Sequence, residues 1–241
     1  MTIFSALWFF MVGLMIVSTV LLCVSARMHP GPWSIVASKV LAVVLLGDVI
    51  SWLVTTAGAQ PFSWSTSLPV PLCDMATILT AVALWTRHQR LVELVYFWGV
   101  AGTLQGLLTP DLALNAPLYV KMEYLITHTV VVIAAVYLVA GLRIYPTRFA
   151  ATRVFAVTLG YSAFVGAIDL ATGGNYMYLA RIPSQVTLLR FLGPWPWYIL
   201  SAAGVAVVLL AILDIPFVWQ RRHLQQRPTR DQQALGPTFC R

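Results

Sequence analysis

Seven apolar stretches, each about 20 residues long, constrain this chain more than any other feature. A helix of roughly 20 apolar residues spans the hydrocarbon core of a bilayer, which is about 30 Å thick. With 59% apolar and 10% charged residues, the 241-residue chain leaves no room for a separate soluble domain. The sequence therefore predicts an all-α integral membrane protein, a bundle of seven transmembrane helices. The stretches cover residues 3–26, 35–57, 68–86, 91–109, 118–142, 154–172 and 197–219.

The basic residues predict the orientation of this bundle. Cytoplasmic loops are enriched in Lys and Arg, and alternate loops hold eleven arginines on one side against two on the other. We therefore expect the N-terminus outside and the C-terminus in the cytoplasm, with a membrane domain at 1–219 and a basic tail at 220–241. The eleven are Arg27, Arg87, Arg90, Arg143, Arg148, Arg153, Arg221, Arg222, Arg227, Arg230 and Arg241, and the two are Arg181 and Arg190.

The net charge of +7 is thus a topology signal, and it does not predict a nucleic-acid partner. The expected location is the cell (plasma) membrane, with several passes, and the expected partners are membrane lipids. The sequence does not indicate an oligomeric state. The cysteines, Cys23, Cys73 and Cys240, form no recognisable disulfide framework.

Ionisable residues inside the spans are costly, and they mark either functional sites or structural ion pairs. Lys39 and Asp48 are nine residues apart, which places them on opposite faces of one helix, so each needs a partner on another helix. Near the ends of spans, structural pairing is the favoured interpretation. The expected pairs are Glu93 with Arg87 and Arg90, Asp169 with Arg181 or Arg190, and Asp214 with Arg221 or Arg222.

The segment PLCD, residues 71–74, opens the third span and contains a candidate nucleophile. With Pro71 at or near the first helical position, Cys73 falls within the first turn, beside free backbone N–H groups and the positive end of the helix dipole. That environment favours a thiolate, whereas the neighbouring carboxylate of Asp74 opposes it. A buried, packed thiol explains Cys73 equally well.

Lys121, Tyr124 and His128 fall on one stripe of the fifth span, at spacings of three and four residues. His128 lies about ten residues into the span, or roughly 15 Å deep. A hydrated polar pocket and a structural, hydrogen-bonded histidine are both consistent with this pattern.

The other candidate substrate-binding residues lie towards the outer side. Gln105 faces the bundle beneath a turn that contains Asp111. The long loop before the seventh span has a length that is uncommon unless the loop is functional. Its aromatic residues suit an interfacial belt, but its arginines indicate a nearby anionic group. The predicted binding residues are Gln105, Asp111, Lys121, Tyr124, Asn175, Tyr176, Arg181, Arg190, Trp195 and Trp197.

Three of these segments resemble the signature segments of the YwaF family of bacterial integral membrane proteins. They are PLCD, YFWGVAGTLQGLLTPDL, and GGNYMYL followed by FLGPWPWYIL, within residues 68–200. Animal relatives of that family include a multispan protein described as a cysteine-dependent phospholipid acyltransferase. The resemblance implies a seven-span fold and, for the animal branch, acyl transfer between lipids through a thioester on the cysteine that matches Cys73. Pro71 stands where the family often has a histidine, and Thr129 follows His128 in place of the usual glycine or histidine.

Two functions are compatible with these observations. The first is a lipid-modifying enzyme, with Cys73 as nucleophile, His128 as base or hydrogen-bond partner, and Arg181 or Lys121 at a headgroup phosphate. The second is a non-enzymatic carrier or receptor that holds a lipid or small anion in an outward-facing polar pocket. Neither function is expected to require a metal ion or a cofactor.

Overall fold

A computed structural model describes residues 6–59, 62–109, 116–182 and 191–234, and these residues form helices and no strand. Two of the helices contain π-helical segments, which are named π1 and π2 here. The elements are α1 Ala6–Met28, α2 Trp33–Ala59, α3 Leu72–Thr86, α4 Gln89–Phe97, π1 Trp98–Thr103, α5 Leu104–Leu108, α6 Leu118–Val136, π2 Tyr137–Gly141, α7 Ala150–Thr172 and α8 Trp197–Ala234. The predicted all-α class is confirmed for the described residues.

Six helices of the described chain are long and apolar enough to cross a membrane, and the protein is a multi-pass membrane protein. The predicted span at 68–86 differs from the structure, because α3 begins only at Leu72 and has 15 residues. Pro71 explains the later start, since a proline disfavours helical geometry in the residue before it. At about 22 Å, α3 is shorter than the hydrocarbon core. A seventh crossing and the orientation of the termini stay predictions.

Helix α6 is the central element of the bundle. Helices α1, α2, α3, α4 and α5 all contact it, and most residues of α6 and π2 are buried. Helices α7 and α8 pack on each other and reach the bundle through α4 and π1. The outer faces carry exposed Leu, Val, Ile and Phe side chains, which suit contact with lipid. The C-terminal helix α8 continues beyond Trp219 into the segment that we assign to the basic tail.

Arg27, Arg87 and Arg221, three of the arginines that predicted the orientation, lie at the same end of the bundle. Arg27 donates to the carbonyl of Ala140, and Arg87 donates to the carbonyl of Ser34. Arg221 bonds the carbonyl of Pro146. These bonds therefore bring basic residues from the ends of α1 and α3 and from α8 to the same end of the bundle.

The predicted ion pairs are confirmed in part. Asp214 pairs with Arg221 at 3.2 Å. Glu93 pairs with Arg90 at 3.4 Å and also with Arg153 at 2.8 Å, which the spacing did not predict. The predicted contact of Glu93 with Arg87 is replaced by the bond from Arg87 to α2.

The predicted pairing of Asp169 with Arg181 is wrong, because Asp169 Oδ1 accepts the backbone N–H of Tyr176 at 2.9 Å. Seven residues of chain turn back at Gly173 and bring that amide to the carboxylate. The alternative partner, Arg190, lies outside the described residues.

Lys39 and Asp48 contact different helices, as their opposite faces predicted. The Lys39 ammonium lies 5.3 Å from the ring centre of Trp85 on α3. The Asp48 carboxylate accepts a hydrogen bond from the Thr127 hydroxyl on α6.

Candidate functional site

Two tyrosine hydroxyls fix the extended segment that leads into α3. The Tyr176 hydroxyl accepts the N–H of Leu68 at 3.1 Å and donates to the carbonyl of Trp64 at 2.7 Å. The Tyr161 hydroxyl donates to the carbonyl of Val70 at 2.7 Å. The loop after α7 and helix α7 itself therefore hold the segment that precedes α3.

Cys73 is the second residue of α3 and lies in its first turn, as predicted. Cys73 is half-buried, and its thiol lies beside the side chain of Thr103 on π1. The carbonyl of Cys73 accepts the Thr77 hydroxyl at 2.8 Å, which is an ordinary bond within the helix. The thiol thus faces the span formed by α4, π1 and α5.

His128, Tyr124 and Gly106 form a compact group between α6 and α5. The rings of Tyr124 and His128 stack at 3.9 Å between centroids. The Tyr124 hydroxyl donates to the carbonyl of Gly106 at 2.7 Å. His128 Nδ1 lies 2.7 Å from the carbonyl of Tyr124, and because a carbonyl only accepts, Nδ1 carries the proton. In the neutral ring, Nε2 is then the free acceptor.

The imidazole of His128 lies directly against the backbone of α5. A Cβ atom on Gly106 would stand 2.6 Å from Nε2 and 2.5 Å from Cδ2 of His128, closer than real Cβ contacts allow. Glycine is therefore the residue that lets the ring approach. Gly102, four residues earlier, instead faces Leu72 of α3.

Cys73 and His128 approach neighbouring positions of the same span. Cys73 contacts Thr103, and His128 contacts Gly106, three residues later. Three residues correspond to about 5 Å of rise and to about 60° of rotation around a helix. The thiol from α3 and the imidazole from α6 therefore lie beside one short stretch of this span.

An open cleft with about 320 Å³ of free space lies between α2, α3 and α6. Three of its lining side chains are carboxylates, those of Asp48, Asp74 and Glu123. Asp74 directly follows Cys73, so the cleft adjoins the turn that carries the thiol. Among the described residues, no group of three His, Cys, Asp or Glu is arranged to hold a metal ion. The cleft lining is Asp48, Val49, Trp52, Pro69, Asp74, Thr77, Ile78, Glu123 and Thr127.

A sequence model of the TMEM164 family matches residues 2–214 of the chain. The chain belongs to the TMEM164 family. The match covers α1 to α7 and the first part of α8, so it includes the cleft, Cys73 and His128. No curated protein and no solved structure matches the chain at a significant level. Family membership supports a multi-pass membrane protein, and the narrower likeness to YwaF proteins stays a prediction.

In this TMEM164 family member, the described part of the loop after α7 binds mainly to itself and to the entrance of α3. The Asn175 side chain accepts the N–H groups of Ala180 and Arg181, and it donates to the Arg181 carbonyl at 2.9 Å. Trp195 Nε1 donates to the carbonyl of Leu179 at 3.0 Å. The loop backbone therefore bonds both the oxygen and the nitrogen of the Asn175 amide.

The remaining predicted binding residues lie in different surroundings. The Arg181 residue is exposed, and Trp195 and Trp197 expose more than half of their surface. Gln105 and Lys121 are half-buried on α5 and on the first turn of α6. Two further predicted residues, Asp111 and Arg190, lie outside the described part of the chain.

Sequence reasoning missed the residues that complete this region, above all Glu123, Thr127 and Thr103. Glu123 and Thr127 are four residues apart on α6, so they share the face that lines the cleft. Glu123 is also an ionisable residue inside a span, and that signal alone marks it for inspection. For Thr103 the sequence gives no comparable signal, because its contact with Cys73 depends on how α3 packs against π1.

Proposed function

We propose that this protein transfers acyl groups between membrane lipids through a thioester on Cys73, with His128 as the base. The observation that carries the proposal is the approach of the Cys73 thiol and the His128 imidazole to one stretch of the span, at Thr103 and Gly106. The resemblance of the PLCD segment to the YwaF family supports the same chemistry. A thiol activated by a nearby base is the general arrangement for covalent acyl transfer.

The proposed reaction has two steps. First, the Cys73 sulfur attacks the ester carbonyl carbon of a donor phospholipid, and the C–O bond to the glycerol oxygen breaks. The thiol proton passes to His128 and then to the leaving oxygen, which departs as the hydroxyl of a lysophospholipid. Second, the hydroxyl of an acceptor lysolipid gives its proton to His128 and attacks the thioester. A new ester forms, and the thiol takes the proton back.

The tautomer of His128 suits this role. Because Nδ1 donates to the carbonyl of Tyr124, Nε2 has a lone pair that can accept a proton. Nε2 also lies on the side of the ring that faces Gly106 of α5, three residues after Thr103. Stacking on Tyr124 and contact with Gly106 hold the imidazole in this orientation.

A second candidate is a non-enzymatic lipid carrier or receptor, and the acidic cleft favours it. Its lining carboxylates of Asp48, Asp74 and Glu123 suit a cationic or zwitterionic headgroup better than an anion. Trp52 in the same lining can contact a cationic group through its ring. This candidate therefore replaces the small anion considered from the sequence with a ligand of positive charge.

Untargeted lipid analysis of a deletion strain complemented with variants tests the proposal. Wild type and Cys23→Ala, which removes a half-buried cysteine at the contact of α1 with α6, should restore the lipid composition. Cys73→Ala and Cys73→Ser should lower the rate of acyl exchange by at least about 100-fold.

Full complementation by Cys73→Ala would contradict the enzymatic proposal. If Asp48→Asn or Glu123→Gln then abolished complementation, the carrier would become the better account. If both carboxylate variants also complemented, the cleft would have no part in function and the second candidate would fail.

A further inference from the structure

The hydroxyl of Thr103 lacks the short bond within the helix that several other threonines make. The hydroxyls of Thr19, Thr77 and Thr158 donate to the carbonyl four residues earlier at 2.7–2.8 Å. The Thr103 hydroxyl instead reaches the carbonyl of Trp98, five residues earlier, at 3.5 Å. At that distance the hydrogen bond is weak.

The π-helical segment explains this difference. Thr103 is the last residue of π1, in which each turn contains an additional residue. The carbonyl four residues earlier is then rotated away from the threonine side chain. The hydroxyl instead meets the carbonyl of Trp98, five residues earlier, at 3.5 Å. Single π turns inside α-helices are frequent at functional sites. The result is a buried hydroxyl, on a residue only 1% exposed, that the backbone holds weakly.

The second neighbour of this hydroxyl is the thiol of Cys73. We propose that Thr103 is a third catalytic residue, whose hydroxyl donates a hydrogen bond to the Cys73 sulfur when the thiol loses its proton. This inference rests on the proposed nucleophilic role of Cys73.

Only the proton of the Thr103 hydroxyl has to move when its acceptor changes from the Trp98 carbonyl to the Cys73 sulfur. In the protonated state of Cys73, the Thr103 O–H donates to the Trp98 carbonyl. When the thiol proton leaves for a base, the Thr103 O–H rotates from that carbonyl to the sulfur anion. The bond it gives up is long and weak, whereas the bond it gains is to a charged atom and is stronger. Trp98 stays in place through its own bond from Nε1 to Thr158, at 2.8 Å.

The rate of alkylation of Cys73 by iodoacetamide tests this inference on the purified protein. The background carries Cys23→Ala and Cys240→Ala, so that Cys73 is the one remaining thiol. Thr103→Val, which keeps the shape and removes the hydroxyl, should slow alkylation about tenfold at neutral pH. It should also raise, by about one unit, the pH at which the alkylation rate increases. Thr103→Ser should restore both the rate and this pH.

Thr109→Val is the matched control, because Thr109 follows on the same span and makes the ordinary bond to Gln105 at 3.0 Å. It should leave the alkylation rate and its pH profile unchanged. Equal rates for wild type and Thr103→Val would overturn the inference, and so would equal slowing by Thr103→Val and Thr109→Val.

Alkylation also separates this inference from the proposed acyl transfer, because iodoacetamide needs no lipid substrate. If Thr103→Val slows alkylation while Cys73→Ala still complements in cells, the hydrogen bond from Thr103 to the Cys73 sulfur stands, and acyl transfer fails together with any catalytic role of Thr103. If Cys73→Ala abolishes lipid exchange while Thr103→Val alkylates at the wild-type rate, acyl transfer stands and the role of Thr103 fails.

Discussion

At the scale of the residue, Gly106 controls whether His128 can occupy its position. Its Cα faces the imidazole so closely that one additional carbon atom would overlap the ring. The Gly106 carbonyl also accepts the Tyr124 hydroxyl, so the same residue holds both stacked rings. A substitution here therefore acts on the site through packing, without changing any polar group.

We expect Gly106→Ala to lower the free energy of unfolding by about 2 kcal/mol, because the ring or the helix must shift to admit the methyl group. Thermal unfolding in detergent measures this. Gly102→Ala should cost less, since its Cβ would meet a flexible end of Leu72 at 3.2 Å. Gly160→Ala has open space and should be neutral or stabilising. Equal unfolding temperatures for Gly106→Ala and Gly160→Ala would contradict the crowding argument.

Single-residue predictions succeeded where helical spacing alone determines a contact. Tyr124 and His128 are four residues apart, so a helix brings their rings together in any fold that contains it. The position of Cys73 followed from Pro71 in the same way. The neighbours of Thr103 and Glu123 lie on other helices. The spacing of residues along one helix does not predict how those helices pack.

At the scale of the element, the loop between π2 and α7 depends on one buried carboxylate. Glu93 accepts the backbone N–H of Thr147 at 2.9 Å and the Thr147 hydroxyl at 2.6 Å, and it pairs with Arg153 at 2.8 Å. The loop includes left-handed backbone at Arg143 and Phe149, which L-residues rarely adopt. Contacts to Glu93 therefore stabilise an otherwise unfavourable conformation.

Arg153→Met should lower the free energy of unfolding by about 2 kcal/mol, because it leaves the Glu93 carboxylate buried with fewer partners. Arg90→Met removes the more exposed partner, at 3.4 Å, and should cost less than about 1 kcal/mol. Detergent unfolding curves of the two variants measure the difference. A larger loss for Arg90→Met would show that the pair with Arg153 does not hold the loop.

The π segments are the elements that the sequence could not predict. Apolar periodicity separates helices from strands, but a π turn adds a single residue and leaves that pattern almost unchanged. Two glycines of YFWGVAGTLQGLLTPDL, Gly102 and Gly106, face different helices through Leu72 and His128. Hence the span at 91–109 was predictable as an element, while the rotation that turns Thr103 towards Cys73 was not.

At the scale of the whole molecule, charge and apolar length predicted the architecture well. The all-helical bundle, its apolar outer surface and the gathering of Arg27, Arg87 and Arg221 at one end all agree with the sequence. The third span was predictable only in its position, because Pro69 and Pro71 convert its first residues into extended chain. How a helix of 15 residues sits in the bilayer depends on its neighbours, since α2 and α6 enclose it.

Orientation is the remaining property of the whole molecule, and cysteine labelling in intact cells decides it. In a background without Cys23, Cys73 and Cys240, Arg181→Cys places a thiol on the loop after α7, and Arg148→Cys places one on the loop before it. Both positions are exposed. A membrane-impermeant maleimide should label only Arg181→Cys in intact cells, because the loop with most arginines is expected in the cytoplasm. After lysis, Arg148→Cys should label to the same extent.

Labelling of Arg148→Cys alone in intact cells would instead show that the bundle has the opposite orientation. The entrance of α3, where the Leu68 N–H donates to the Tyr176 hydroxyl, would then face the cytoplasm.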